Sequence, residues 1–290
     1  MNPGPPPRKG SLCAPLARFS DLGELLEAFR AWCVASRGNS RRTLEDQLNA
    51  LTRVVKRLDD LHDRPLIVAR LAELPPGPRG HAIKALKKLA HFLDWPDLAK
   101  GLRVPKFSPR RYQIPPNEEL ARFEEALERA RDRLAFRLLA DSGLRKHEVL
   151  ELRVGDIILE ERCLMPHHDS PTKKPGISFF TSEAEPLLRE WLEELAPDGP
   201  EARLFPYKSD IWLRKAFKRA GKATGVAVCP QMLRVRFADK CGEAEIPDRY
   251  VDIMQGRAPQ TVLARHYTPS GIKRLKRHYT KVEPLLLLRS

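Results

Sequence analysis

The stretch Asp141-Ser-Gly-Leu-Arg-Lys-His-Glu-Val-Leu-Glu-Leu152 decides how this chain is read. A helix over Leu134–Ser142 leads into it. Gly143 permits the left-handed turn that ends such a helix, and Arg145 begins the next one. Upstream, Asn117–Arg131 is also helical in pattern. Downstream, Val154–Leu159 and Ile177–Thr181 are short runs rich in β-branched and aromatic residues, which predicts strands. The turn-forming Ser170–Gly176 lies between them. Helices are then expected at Ser182–Leu195, Ser209–Ala223, Met232–Cys241, Pro247–Gln255 and Ala258–Tyr267. The C-terminal part is therefore mainly helical with a small β-sheet.

Toward the N-terminus, residues 103–116 carry Pro105, Pro109, Pro115 and Pro116 among Arg103, Lys106, Arg110 and Arg111. Proline at that density cannot continue a helix, so this is read as an extended basic linker. Before it, residues 17–102 form an all-helical domain. Ser20 can cap a helix that buries Leu22, Leu25, Leu26 and Phe29. Leu44, Leu48, Leu51, Val55 and Leu58 form a second buried stripe, after Asn39 and Ser40. A third helix over Gly80–Leu93 turns Ile83, Leu86, Leu89 and Leu93 inward and sets Lys84, Lys87, Lys88 and His91 on the opposing face. Residues 1–16, rich in proline and glycine, are expected to be a flexible arm. Residues 117–290 complete the second domain, with a basic C-terminal tail.

Composition narrows the function. The 290 residues hold 52 Lys+Arg against 38 Asp+Glu, a net charge of +14. Met1–Arg110 alone holds 20 basic and 11 acidic residues, a surplus of +9. A basic domain of that size implies a polyanionic partner, most often nucleic acid. No apolar run approaches the length of a membrane span, no secretory h-region follows Arg8 and Lys9, and the five cysteines make no C-x-x-C pair. The chain is read as cytoplasmic and nucleoid-associated, without membrane contact or a metal site. Asn and Gln are scarce, which favours a thermophilic source, although a GC-rich genome accounts for part of that. No Walker-type phosphate loop, H-E-x-x-H helix or EF-hand loop occurs.

The dispersed basic residues fall in an order that resembles the tyrosine recombinase (phage integrase) family. Its first signature, T/S-G-L-R-x-x-E-hydrophobic-x-x-L, is matched by Ser142, Gly143, Leu144, Arg145, Glu148, Val149 and Leu152. Family members next place a lysine in a β-hairpin; here Lys173 and Lys174 sit in the turn before Ile177. A helix opening H-x-L-R follows; Gln231-Met-Leu-Arg234 stands there, with glutamine where histidine is usual. The later G-H or G-W becomes Gly256-Arg257, 23 residues beyond Arg234, and Tyr267 lies ten beyond Arg257. Ser40–Leu58 resembles the S-x-x-T helix of the family's core-binding domain. Arginine in the His/Trp place, with no histidine before x-x-R, is most like the integrases of archaeal viruses and plasmids.

The resemblance implies an N-terminal helical core-binding domain joined to an α/β catalytic domain, the two gripping a duplex from opposite faces. It implies cutting and rejoining of DNA through a 3′-phosphotyrosine, with no cofactor. Tyr267 would be the nucleophile, while Arg145 and Arg234 would clamp the non-bridging oxygens with their planar forks. Arg257 would add a third cation. Lys173 would be the general acid, preferred over Lys174 because it follows the small polar Thr172; spacing alone leaves both open. Gln231 cannot take the tyrosine proton, so that role is left open. Glu148 would steady a cationic side chain. Tyr279, in a second Arg-His-Tyr-Thr, lies 22 residues past Arg257 and does not fit the spacing. The tail beyond Thr268, ending in Leu285–Leu288, is expected to dock on a neighbouring subunit or on DNA. DNA contacts are expected from Arg41, Arg42, Lys84, Lys87, Lys88, Lys106, Arg110 and Arg111. The implied partners are double-stranded attachment sites and a homotetramer. The implied role is integration or excision of a viral or plasmid genome. A chromosome-dimer resolvase, a tyrosine-type topoisomerase and a catalytically silent DNA-binding protein are the alternatives.

Overall fold

A computed structural model describes residues 16–37, 41–106, 111–167, 176–257 and 271–289. The chain divides into two compact units, Met1–Pro109 and Arg110–Ser290. No described helix is long and apolar enough to cross a membrane.

The first unit is helical: α1 (Leu22–Arg37), α2 (Arg41–Leu51), α3 (Arg64–Glu73) and α4 (Pro76–Phe92). Its core is built from Leu25 and Phe29 of α1, Leu44 and Leu51 of α2, Ile67 and Leu71 of α3 and Leu86 and Leu89 of α4. The second helix is shorter than its leucine stripe predicts. It stops at Leu51, and Leu58 begins a separate 3-10 turn, Leu58–His62. Val54, Val55 and Leu58 still reach the core, so the stripe reported burial correctly and helix length wrongly. Helix α3 was not foreseen. Asp63 caps it by accepting the Leu66 backbone N–H at 2.9 Å.

The second unit contains α5 (Asn117–Glu125), α6 (Ala130–Ser142), α7 (Lys146–Leu150), α8 (Ala184–Leu195), α9 (Ile211–Thr224), α10 (Pro230–Glu243), α11 (Asp248–Met254) and α12 (Ile272–Leu286). Helix α6 runs through the middle, with every residue from Leu134 to Ser142 buried. On one side Leu134, Leu138 and Leu139 join Leu188 and Trp191 of α8 and Phe217 of α9. A separate cluster joins Phe237 and Cys241 of α10, Tyr250 and Met254 of α11 and Leu275, Tyr279, Val282 and Leu286 of α12. Arg137 of α6 is also fully buried. It makes a two-pronged pair with Glu124, at 2.9 and 2.6 Å, and reaches Glu183 at 2.6 Å. Such a pair offsets its desolvation only while both partners remain.

The sheet has three short antiparallel strands, β1 (Ile157–Ile158), β2 (Cys163–Leu164) and β3 (Ser178–Phe179), in the order β1-β2-β3. Cys163 pairs with Ile158 and with Phe179. Within the expected runs, Ser178–Phe179 pairs with Cys163–Leu164, a strand the sequence does not mark, and that strand pairs in turn with Ile157–Ile158 of Val154–Leu159. The latter run opens as a 3-10 turn, Val154–Asp156.

The C-terminal expectation is also corrected. Residues beyond Gly271 form α12, which packs on its own unit through Leu275, Tyr279, Val282 and Leu286 at helical spacing. Leu286 and Leu288 are buried in this chain. Asn117 Nδ2 donates to the Leu287 carbonyl at 2.9 Å, and the Glu183 carboxylate accepts the Leu288 and Arg289 backbone N–H groups, both at 2.9 Å. The high basic count had hidden an amphipathic helix whose apolar stripe is complete.

Candidate active site

The site is assembled where two chain reversals meet one helix. Gly143 ends α6 at φ +64°, a left-handed conformation that a side chain disfavours, and a Cβ there would stand 2.3 Å from Phe237 Cδ1. The turn delivers Arg145 to the start of α7. Its backbone N–H donates to Glu148 Oε2 at 2.7 Å, and its Nη1 donates to Glu148 Oε1 at 2.8 Å. Glu148 is itself 1% exposed against 39% for the arginine, so a buried carboxylate holds a guanidinium that faces outward.

Arg234 enters from α10, on the turn after Gln231. It is buried, and its guanidinium donates to backbone carbonyls. Nη1 donates to the Gly143 carbonyl at 2.6 Å and Nη2 to the Gln255 carbonyl at 2.8 Å. The second reversal, Gln255–Arg257 after α11, closes the group. Arg145 Nη1 donates to the Gly256 carbonyl at 3.0 Å, and Arg257 Nη1 lies 3.8 Å from Asp252 Oδ1. Burial, then the charges of Arg145 and Arg257, pull the Arg234 pKa down to about 10. At neutral pH it stays protonated. Three mutually repelling cations held together by neutral carbonyls and two carboxylates form a place where an anion would relieve the repulsion. Planar guanidinium forks suit the oxygens of a phosphate.

The structure thus brings together Arg145, Glu148, Arg234 and Arg257 from among the residues named from sequence. Gln231 is exposed in the first turn of α10. Lys173, Lys174 and Tyr267 lie outside the described residues, as does Arg110. Tyr279 is fully buried, and its hydroxyl donates to the Asp141 carbonyl at 3.2 Å. Burial, and after it the charge of Asp141, push its pKa well above the ordinary tyrosine value. Lys84, Lys87, Lys106 and Arg111 are exposed and Lys88 is half-buried. Arg41 and Arg42 open α2, with side chains outside the description. Beside the N-terminal end of α10 lies an open cleft of 680 Å³, floored by Leu213, Phe217 and Met232 and rimmed by Arg111, Lys146, Arg214 and Lys218.

Sequence reasoning missed Gln255 and Gly176. Gln255 stands directly before Gly256-Arg257 at the end of a partly exposed helix, and its immediate sequence carries no signal of its burial. Gly176 was read only as a turn former. It packs against Met254 and Gly256, a contact between distant segments that composition cannot reveal.

Residues 116–272 match the model of the Phage integrase family. The tyrosine recombinase XerA of Saccharolobus solfataricus is 33% identical over 147 residues, 51% of this chain and 49% of that protein. The chain therefore matches about half the length of that relative. XerA of Pyrococcus furiosus is 28% identical over 209 residues, covering 67% of this chain and 70% of that protein. Two solved structures share the fold. A lambda integrase tetramer bound to a Holliday junction superposes with a TM-score of 0.64 at 20% identity, over 89% of this chain and 80% of that one. XerH recombinase in its pre-cleavage complex with difH gives 0.57 at 20% identity, over 87% and 93%.

Proposed function

Because this chain belongs to the phage integrase family, we propose that it is a site-specific DNA recombinase that cuts and rejoins DNA through a 3′-phosphotyrosine. The observation that carries the reading is the convergence of Arg145, Arg234 and Arg257 on one point, braced by Glu148 and by the Gly143, Gln255 and Gly256 carbonyls. The scissile phosphate is the anion that this cluster of cations accepts. As Tyr267 attacks phosphorus, negative charge grows on the non-bridging oxygens, and Arg145 and Arg234 meet it with preorganised donors. A lost donor of this kind costs about 3–4 kcal/mol in other enzymes. Lys173 delivers a proton to the departing 5′-oxygen. Gln231 donates a hydrogen bond and leaves proton removal from Tyr267 to water or a substrate oxygen. The buried position of Tyr279 supports assigning the nucleophile to Tyr267.

Residues 17–102 serve as the core-binding domain, residues 103–116 as the basic linker and residues 117–290 as the catalytic domain. Lys84, Lys87, Lys88, Lys106, Arg111 and the rim of the α9–α10 cleft contact phosphates, with Arg41, Arg42 and Arg110 beside them. Four protomers assemble on double-stranded attachment sites in the cytoplasm. The biological role is integration or excision of an archaeal viral or plasmid genome, in a thermophilic host. A second reading, resolution of chromosome dimers, is favoured by the origin of the curated relatives in cellular archaea.

A nicked suicide duplex made from DNA flanking the gene tests the activity. A covalent protein–DNA adduct is expected, and its absence across that region would overturn the reading. Recombination between a plasmid site and a host site, but not between two copies of one chromosomal site, separates the two roles.

A further inference from the structure

Gln255 is fully buried at the end of α11, and its backbone carbonyl and its side-chain amide nitrogen both meet one residue of another helix. Its backbone carbonyl oxygen accepts Arg234 Nη2 at 2.8 Å, and its side-chain Nε2 donates to the Arg234 backbone carbonyl at 2.9 Å. Arg234 is therefore held at both ends, by its backbone and by its guanidinium.

Stability alone does not explain this arrangement. The Arg234 carbonyl lies inside α10, where the helix ladder already offers it a donor four residues on. Gln255 Oε1 is buried with no hydrogen-bond partner among the described residues. A buried amide with one redundant bond and one unpaired oxygen is a poor way to fill a core position; leucine or methionine would avoid the desolvation cost. What a hydrocarbon cannot do is fix the spacing between α10 at Arg234 and the reversal that carries Gly256 and Arg257. That reversal also supplies the acceptor for Arg145. The charges of Arg145 and Arg257 act against the Arg234 guanidinium in this position.

We infer that Gln255 is a positioning residue for Arg234: its two-way clip sets the depth and direction from which the guanidinium meets the scissile phosphate. The inference rests on the proposed role of Arg234. Gln255 touches no substrate and acts only through the arginine.

The test uses the full chain as wild type, Gln255→Leu, Gln255→Met, Arg234→Lys and the Arg234→Lys/Gln255→Leu double variant. Single-turnover cleavage of the nicked flanking duplex, duplex affinity and thermal melting are measured for each. Gln255→Leu and Gln255→Met should cleave roughly tenfold to a hundredfold more slowly, the scale of a small misplacement at the reacting centre. Affinity and melting should stay near wild type. In the Arg234→Lys background, Gln255→Leu should cost almost nothing more, because the clip has nothing left to place. Wild-type cleavage by both Gln255 variants, or an equal loss in both backgrounds, would overturn the inference. Normal cleavage by Arg234→Lys, or none by wild type, would instead sink the underlying reading. Guanidinium proton exchange, followed by nitrogen-15 spectroscopy without DNA, decides positioning independently. Exchange at Arg234 should quicken in Gln255→Leu, because the backbone carbonyl of residue 255 that receives Nη2 is no longer tied to α10 by the side chain, and unchanged exchange would contradict the clip.

Discussion

Gly176 lies so close to Gly256 that a Cβ built on it would stand 2.7 Å from the Gly256 nitrogen and 2.8 Å from the Met254 carbonyl oxygen. Gly176 lies three residues after Lys173 in the sequence, and Gly256 precedes Arg257. The contact fastens the start of the segment that leads into β3 to the arginine cluster. Both atoms are backbone, so an added methyl must push whole segments apart. Gly176→Ala should lose about 1–3 kcal/mol of stability, the usual cost of overpacking, and should cleave at least about tenfold more slowly than its stability loss explains. Gly77→Ala, where nothing lies within 4 Å of the new carbon, is the matched control and should be neutral in both assays.

Arg234→Lys keeps a cation but not the fork. A lysine ammonium cannot serve the Gly143 and Gln255 carbonyls and still present two parallel donors to a phosphate. Cleavage should fall by about a hundredfold, the lower range for one lost transition-state donor, while duplex affinity changes little. Suicide-substrate kinetics beside equilibrium binding give both numbers. Undiminished cleavage would make Arg234 a generic cation.

Much of this site was legible because its chemistry sits in short signatures. Gly143 and Arg145 share one turn, and Gly256 and Arg257 share another, so residue type and order were enough to find them. Helices α8 to α11 were legible for a similar reason, since their apolar periodicity is complete within each segment. Strand β2 was not, because Cys163 and Leu164 form too short a run to show any alternation. Helix α12 was misread because Lys273, Arg274, Lys276, Arg277 and Lys281 drew attention from the stripe Leu275, Tyr279, Val282 and Leu286. Gln255 escaped because its meaning lies in a partner 21 residues away, whose approach is set by the packing of α10 on α11.

Asp141 supplies a pH signature. It is fully buried, and its Oδ2 accepts the Thr181 N–H at 3.1 Å and the Thr181 hydroxyl at 2.6 Å, while Oδ1 has no hydrogen-bond partner among the described residues. Burial pushes its pKa up to about 6 against the opposing charge of Arg137. A carboxyl whose folded pKa is raised contributes stability that is full below its unfolded value near 3.8 and is lost as pH rises through about 6. Asp141→Asn can offer its oxygen to Thr181 and place its amide where Oδ1 stands. The stability of the variant relative to wild type should therefore increase from pH 4 to pH 6 and level off above. Denaturant titrations across that range check the sign, and a relative stability that fell with rising pH would contradict it.

Duplex binding should be steeply salt-dependent. The surplus of +9 in Met1–Arg110 and the exposed Lys84, Lys87, Lys106 and Arg111 provide cations for phosphate neutralisation. The log–log slope of affinity against salt should approach about −0.9 per phosphate contacted. Lys84→Gln and Lys87→Gln together should make that slope shallower by roughly 1–2, without changing the sequence of the preferred site. A flat salt dependence would leave no place for phosphate contacts in the account.

The nucleophile is the central claim, and mapping the covalent adduct tests it most directly. Wild type, Tyr267→Phe and Tyr279→Phe are each incubated with the nicked flanking duplex, and the DNA-linked peptide is sequenced. Tyr279→Phe loses only the core hydrogen bond to the Asp141 carbonyl, worth about 1 kcal/mol, and should still form the adduct. Tyr267→Phe should bind DNA normally and form none, and the wild-type peptide should carry its nucleotide on Tyr267. An adduct on Tyr279, or one that survives in Tyr267→Phe, would contradict the account and shift every assignment from Arg257 onward.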